Sequence, residues 1–245
     1  MSELLPVKGV TFDLDGCLYD ARRMRWRFIL RNLGKGSLMR VTQRVRAEMR
    51  EVEFANGNAF FAEQFARIAE RIERSVIDIQ PEVEKLFNER LCQVLKRIGP
   101  FAATREGLEL LVESGFQIGV VSDFAPDEKL RALGLLDLPW AAKIGADGTG
   151  ALKPNPRALL QAADAMGLKP EQCIHVGDRI DTDVMGAKNA GFEAFYLDVN
   201  HSGVARKKAL AELGAEQENV FCASTPFDAA TCIATEFASG SRSAC

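Results

Sequence analysis

Asp13 and Asp15 stand one residue apart at the end of an apolar run, in Val10-Thr11-Phe12-Asp13-Leu14-Asp15-Gly16-Cys17. Two carboxylates at the mouth of a short β-like segment suit two tasks: holding a hard cation and attacking an electrophile. Taken alone, the pattern equally describes a strand-end turn, where Asp and Gly are common. Three further segments shift the balance. Ser122-Asp123 follows the apolar run 116–121 (FQIGVV). Lys153-Pro154 closes a Gly150-Ala151-Leu152 loop just before a helical stretch. Gly177-Asp178-Arg179-Ile180-Asp181-Thr182-Asp183 follows the apolar run 173–176 (CIHV). Gathered on one rim, they would supply several carboxylates, one hydroxyl and one ammonium.

The elements that must carry these groups are legible as an alternation. The runs 116–121, 173–176 and 194–197 (AFYL) are short, apolar on both sides and followed by polar or Gly-containing turns, as buried parallel strands are. Amphipathic stretches lie between them. One carries Leu108, Leu111 and Val112, another runs from Pro156 to Gly167, and a third ends at Gly191. This predicts an α/β protein built on a doubly wound, mainly parallel sheet, in which ligands bind beyond the carboxyl ends of the strands.

Residues 21–98 contain no convincing strand. Apolar stripes at helical spacing run through Trp26, Ile29, Leu30 and Leu33; Leu38, Val41, Val45, Met49 and Val52; Phe61, Phe65, Ile68 and Ile72; and Val83, Phe87, Leu91, Val94 and Ile98. Gly34-Lys35-Gly36, Asn56-Gly57-Asn58 and Gln80-Pro81 read as the breaks between them. The expected organisation is an α/β core of residues 1–20 and 99–237, a helical insert over 21–98 and a frayed tail over 238–245.

The four segments, in this order, resemble the motifs of the haloacid dehalogenase superfamily. DxDG at 13–16 resembles the first motif, Ser122 the second, Lys153-Pro154 the third and GDxxxxD at 177–183 the fourth, while the insert resembles that family's helical C1 cap. The resemblance implies a Rossmann-like core and Mg²⁺ held by the Asp13 carboxylate, the Asp15 main-chain carbonyl and Asp178, with Asp183 supporting the site. It further implies Asp13 as nucleophile, forming an aspartyl phosphate, and Asp15 as the acid and base. Ser122 and Lys153 would bind the phosphoryl group. Asp15 favours the phosphatase branch, because the dehalogenase and phosphonate-cleaving branches lack the second aspartate. Cys17 departs from the usual Thr or Val; its thiol bears on flap packing or oxidation, and the chemistry needs no hydroxyl there.

The implied function is Mg²⁺-dependent hydrolysis of a small phosphorylated metabolite. The alternatives are a β-phosphoglucomutase-like phosphomutase and a catalytically silent binding relative. Other features read as structural. Residues 22–50 hold ten Lys and Arg against one Glu, and most of them are expected to form a solvated face, with Arg22, Arg23 and Arg25 nearest the motif loop. His175 is expected in the core and His201 in a surface loop, while Arg179 either reaches the site rim or pairs with Asp181 or Asp183. Trp26, Phe60, Phe61 and Phe65 are expected in the core of the insert. The net charge of −3 and the lack of an apolar run of about 18 residues point away from nucleic acid and membrane partners. The N-terminus lacks a signal-peptide pattern, and six scattered cysteines carry no metal-like spacing, so a reduced, cytoplasmic protein is expected.

Overall fold

The computed structural model describes residues 5–199 and 220–237. Six strands form one sheet: β1 (Gly9–Phe12), β2 (Gln117–Ser122), β3 (Trp140–Gly145), β4 (Cys173–Gly177), β5 (Glu193–Leu197) and β6 (Val220–Ala223). Every pairing is parallel and the order is β3-β2-β1-β4-β5-β6. β1 is central and buried along its whole length, which is why its residues are apolar on both faces. The chain winds one way from β1 to β3 and the other way from β4 to β6. The switch point therefore falls between β1 and β4, where a crevice opens at the strands' carboxyl ends.

Between Ala21 and Ile98 the described elements are all helical: α1 (Ala21–Arg31), α2 (Gly36–Met49), α3 (Gly57–Ile72), α4 (Val76–Glu84) and α5 (Leu91–Ile98). Asn56 and Ser75 cap α3 and α4 by accepting from Ala59 N and Asp78 N. Pro81 is no break; it lies inside α4, which continues through a π-helical stretch, Lys85–Arg90, into α5. Burial of Ile79, Val83 and Leu86 outweighs the backbone bond that Pro81 cannot make. The other helices are α6 (Thr104–Glu113), α7 (Asp127–Leu133), α8 (Ala146–Thr149), α9 (Arg157–Ala165), α10 (Met185–Ala190) and α11 (Pro226–Glu236).

Phe60, Phe65, Ile68, Val45 and Met49 are buried and Phe61 is half-buried, as their spacing predicts, and Ile79 and Val83 of α4 and Leu91, Val94 and Leu95 of α5 are buried as well. The first stripe is different. Trp26, Leu30 and Leu33 are 69%, 65% and 72% exposed, and Ile29 is also exposed. α1 instead packs through Phe28, whose ring lies 6.0 Å from that of Phe87. One turn of α1 offers two apolar faces, and α5 takes the one carrying Phe28. His175 is buried as expected, while His201 and residues 238–245 lie outside the described residues. Cys17, Cys92 and Cys173 are free and buried, and Cys222 is half-buried.

The helical segment touches the sheet-bearing part at specific backbone sites. Phe54 N donates to Gly150 O at 2.9 Å, and Phe101 N, where the chain returns, donates to Leu18 O at 3.0 Å. Gly150 has φ +89°, and a Cβ there would sit 2.7 Å from Phe54 O. Gly167 has φ +65° with open space around it. Alanine at Gly167 therefore meets only left-handed backbone strain, about 1–2 kcal/mol. Gly150→Ala adds a collision with backbone and is expected to cost about twice that, as read by urea denaturation of the two variants side by side.

Candidate active site

Each motif segment lies at the carboxyl end of a strand. β1 delivers Asp13 and Asp15, β2 ends on Ser122, and Asp178 and Asp183 follow β4. Lys153 arrives from the loop between α8 and α9, through a cis Lys153–Pro154 peptide. Its Nζ lies 2.6 Å from Asp13 Oδ1, 2.6 Å from Asp183 Oδ1 and 3.1 Å from Val121 O, so all three of its protons have acceptors. Asp13, Asp178 and Asp183 each offer an oxygen within 4.8 Å of the others. Gly16 has φ +105°, and a Cβ there would overlap the Asp178 carboxylate, so the motif glycine is what lets the two loops meet.

Three acids share one lysine in a buried space, and their acidities diverge accordingly. Burial pushes Asp13 well above the ordinary carboxylate range; Lys153 opposes the rise while Asp183 and Asp178 add to it. Burial and then the Asp183 charge push Asp178 up to about 7. For Asp183, burial is outweighed by Lys153 and His175, and the group is held low. Lys153 is held above its usual value because Asp13 and Asp183 more than offset its burial. Asp178 Oδ1 is buried and has no hydrogen-bond partner among the described residues. An orphaned carboxylate oxygen beside two other carboxylates is the donor set a hard divalent cation takes, so the residues fit Mg²⁺.

Asp15 sits slightly apart and keeps different company. Lys129 Nζ donates to both its oxygens, at 2.7 and 2.5 Å, Tyr19 OH donates to Oδ1, and Ser122 Oγ lies 3.4 Å from Oδ2. Burial works to raise Asp15, but Lys129 and Tyr19 outweigh it and hold the carboxyl below its ordinary value. Neither Lys129 nor Tyr19 stood out in the sequence. Pro126, one residue before α7, was the available signal: a helix starting there turns Lys129, in its first turn, back toward the rim.

Two more contributors come from α2. Arg50 donates to Asp123 Oδ2 at 2.6 Å and to the Lys153 carbonyl. Arg46 donates to Asp123 O at 2.7 Å and to Gln64 Oε1 at 2.7 Å, pairs with Asp147 at 3.3 Å, and lies 3.8 Å above the Phe124 ring. Neither belongs to the solvated face expected for most of this basic run; both are fastened to the segments after β2 and before α9. A cavity of about 770 Å³ opens between α1, α2 and the motif loops, bordered also by Arg22, Arg25, Met24 and Phe28. Arg23 does not border it. Arg179 borders the cavity and pairs with Asp181. Cys17 is fully buried, donates to Val176 O at 3.6 Å and has its thiol pushed well up by burial, so it packs the flap and is not poised for oxidation.

A family model described as haloacid dehalogenase-like hydrolase matches residues 7–191. Phosphoglycolate phosphatase of Xanthomonas campestris pv. campestris is 30% identical over 190 residues, 75% of this chain and 80% of that protein. Glyceraldehyde 3-phosphate phosphatase of Methanopyrus kandleri is 37% identical over 95 residues, 38% of this chain and 40% of that protein. Among solved structures, L-2-haloacid dehalogenase from Xanthobacter autotrophicus with covalently bound chloropropionic acid superposes with a TM-score of 0.63 at 18% identity, covering 94% of this chain and 99% of that one. The parallel sheet, the motif residues at its carboxyl rim and these similarities together make the chain a member of the haloacid dehalogenase-like hydrolases, an enzyme of their phosphatase type.

Proposed function

We propose that the chain hydrolyses a small phosphate monoester with the help of Mg²⁺, through an aspartyl phosphate on Asp13, with residues 21–98 acting as a cap over a core of 1–20 and 99–237. The observation that carries this reading is the convergence of Asp13, Asp178, Asp183 and Lys153 within hydrogen-bonding or metal-bridging reach of one another. Asp13, the Asp15 carbonyl and Asp178 would hold the ion, with Asp183 fixing Lys153 beside them. When bound, Mg²⁺ would neutralise phosphate charge that otherwise repels a carboxylate nucleophile.

The chain's own groups would do the rest. Asp13 attacks phosphorus, and Ser122 and Lys153 stabilise the transferring oxygens. Asp15 protonates the leaving oxygen and then takes a proton from the attacking water. Lys129 and Tyr19 hold Asp15 toward the carboxylate form that the second step needs. Two histidines in the whole sequence, one of them in the core, leave a carboxylate as the available acid and base. The positive border of the cavity, Arg22 and Arg25 with Lys129 and Lys153, suits a compact anionic substrate.

Asp13→Asn is expected to reduce phosphate release from p-nitrophenyl phosphate by about 10³-fold or more while circular dichroism stays unchanged. An intact Asn variant with most of its activity would rule out the nucleophile assignment. Treatment with EDTA is expected to abolish turnover and added Mg²⁺ to restore it; turnover indifferent to chelation would remove the metal from the scheme.

The raised Asp178 gives a sign to the pH dependence. At pH 6 Asp178 still holds a proton, which a cation must displace, whereas at pH 8 the carboxylate is free. Each unit below about 7 therefore costs metal binding up to about 1.4 kcal/mol. The rise in Tm that Mg²⁺ gives should be larger at pH 8 than at pH 6, measured by calorimetry of metal-free protein with and without the ion. An increment independent of pH would refute it.

A further inference from the structure

The outward face of α1 has no role in the chemistry above and no covering element among the described residues. Trp26 and Leu30 follow one another at i and i+4 on α1 with Ile29 beside them, and Leu33, in the 3-10 turn that follows the helix, is exposed as well; together they make the apolar ridge. Around the ridge stand Arg22, Arg23, Arg25, Arg27 and Arg31, and no acidic residue occurs between Asp20 and Glu48. Elsewhere in the helical segment several arginines are neutralised: Arg44 and Arg71 by Glu48, Arg50 by Asp123, Arg67 by Glu63, and Arg74 by Glu82. The five on α1 form no such pair among the described residues. An apolar ridge and a field of uncompensated guanidiniums therefore coincide on one convex surface.

We propose that this face of α1 docks on an anionic lipid surface, with Trp26, Leu30 and Leu33 entering the headgroup–acyl boundary and Arg23, Arg27 and Arg31, which lie outside the cavity lining, meeting lipid phosphates. A convex ridge without a cavity suits a deformable partner, and Trp with Leu between arginines is the composition that interfacial helices use. A symmetric dimer through this face would set the arginines of two copies against each other. Nucleic acid would make no use of the Leu and Ile side chains. No helix among the described residues is long and apolar enough to cross a membrane, so the attachment is peripheral and reversible. The expectation of no membrane partner rested on overall charge and the missing apolar run, and neither reports on one helix face. The inner flank of α1, through Met24 and Phe28, borders the cavity, so docking would bring the cleft mouth close to the lipid.

Co-sedimentation of the intact protein with phosphatidylcholine–phosphatidylglycerol vesicles at low salt tests this. Binding is expected with the mixed vesicles and absent with phosphatidylcholine alone, and it should weaken as salt rises. Trp26 emission should shift to the blue, and Trp26→Phe should remove the shift while keeping the binding. The combined variant Trp26→Ser, Leu30→Ser, Leu33→Ser should lose partitioning by about tenfold or more. Because these residues lie outside the cavity lining, its turnover of p-nitrophenyl phosphate should equal that of the parent, which certifies the fold. Absence of sedimentation at low salt, or equal sedimentation of the serine variant, would overturn the proposal. So would a Trp26-dependent dimer in light scattering, which would assign the face to a second copy, or a pull-down by acidic protein without vesicle binding.

Discussion

Crowded negative charge at the sheet's switch point is the constraint on which the rest of the molecule turns. Asp13, Asp178 and Asp183 converge in a space from which water is largely excluded, with Lys153 as the cation that touches two of them. Leaving such charges unpaired would cost several kcal/mol each, so the protein either protonates the acids, pairs them or presents them to a cation. All three responses are visible: Asp13 and Asp178 are raised, Asp183 is paired and lowered, and Asp178 keeps an oxygen with no protein partner. The fold supplies the rigidity that keeps the acids close. β1 and β4 are adjacent, in register, and buried along their length.

Asp15 shows how two residues in identical sequence surroundings acquire different electrostatics. Asp13 faces the acidic cluster, whereas Asp15, two residues on, faces Lys129 and Tyr19. The first is pushed up and the second held down. Separation of this kind is what an enzyme needs when one carboxylate must attack and its neighbour must handle protons.

The helical segment is fastened to the site by charge as well as by apolar packing. Arg46 and Arg50 reach from α2 to Asp123, Asp147 and the Lys153 carbonyl, so the loops that hold Ser122 and Lys153 are braced from above. These contacts are buried or half-buried, and that is where guanidinium–carboxylate pairs have most influence on geometry. Any opening of the helical segment must release them together. α1, by contrast, pairs none of its arginines with an acid among the described residues: Arg22 and Arg25 border the cavity, while Arg23, Arg27 and Arg31 are exposed away from it.

Local sequence was enough to determine the β1, β2, β4 and β5 strands, the helices α6, α9 and α10, and the residues at the strand ends. Buried parallel strands must be apolar on both faces, and a motif at such an end needs no distant information to be noticed. β3 and β6 escaped because, as edge strands, they are partly exposed and lack the unbroken apolar run of a buried strand. Tertiary structure alone decided which face of α1 is covered, since Trp26-Leu30-Leu33 and Phe28 with Met24 satisfy helical periodicity equally well and only the position of α5 separates them. It also decided the fates of Lys129, Arg46 and Arg50. A long cation's role depends on which acid it can reach, and that acid lies 114 residues away for Lys129, 101 for Arg46 and 73 for Arg50.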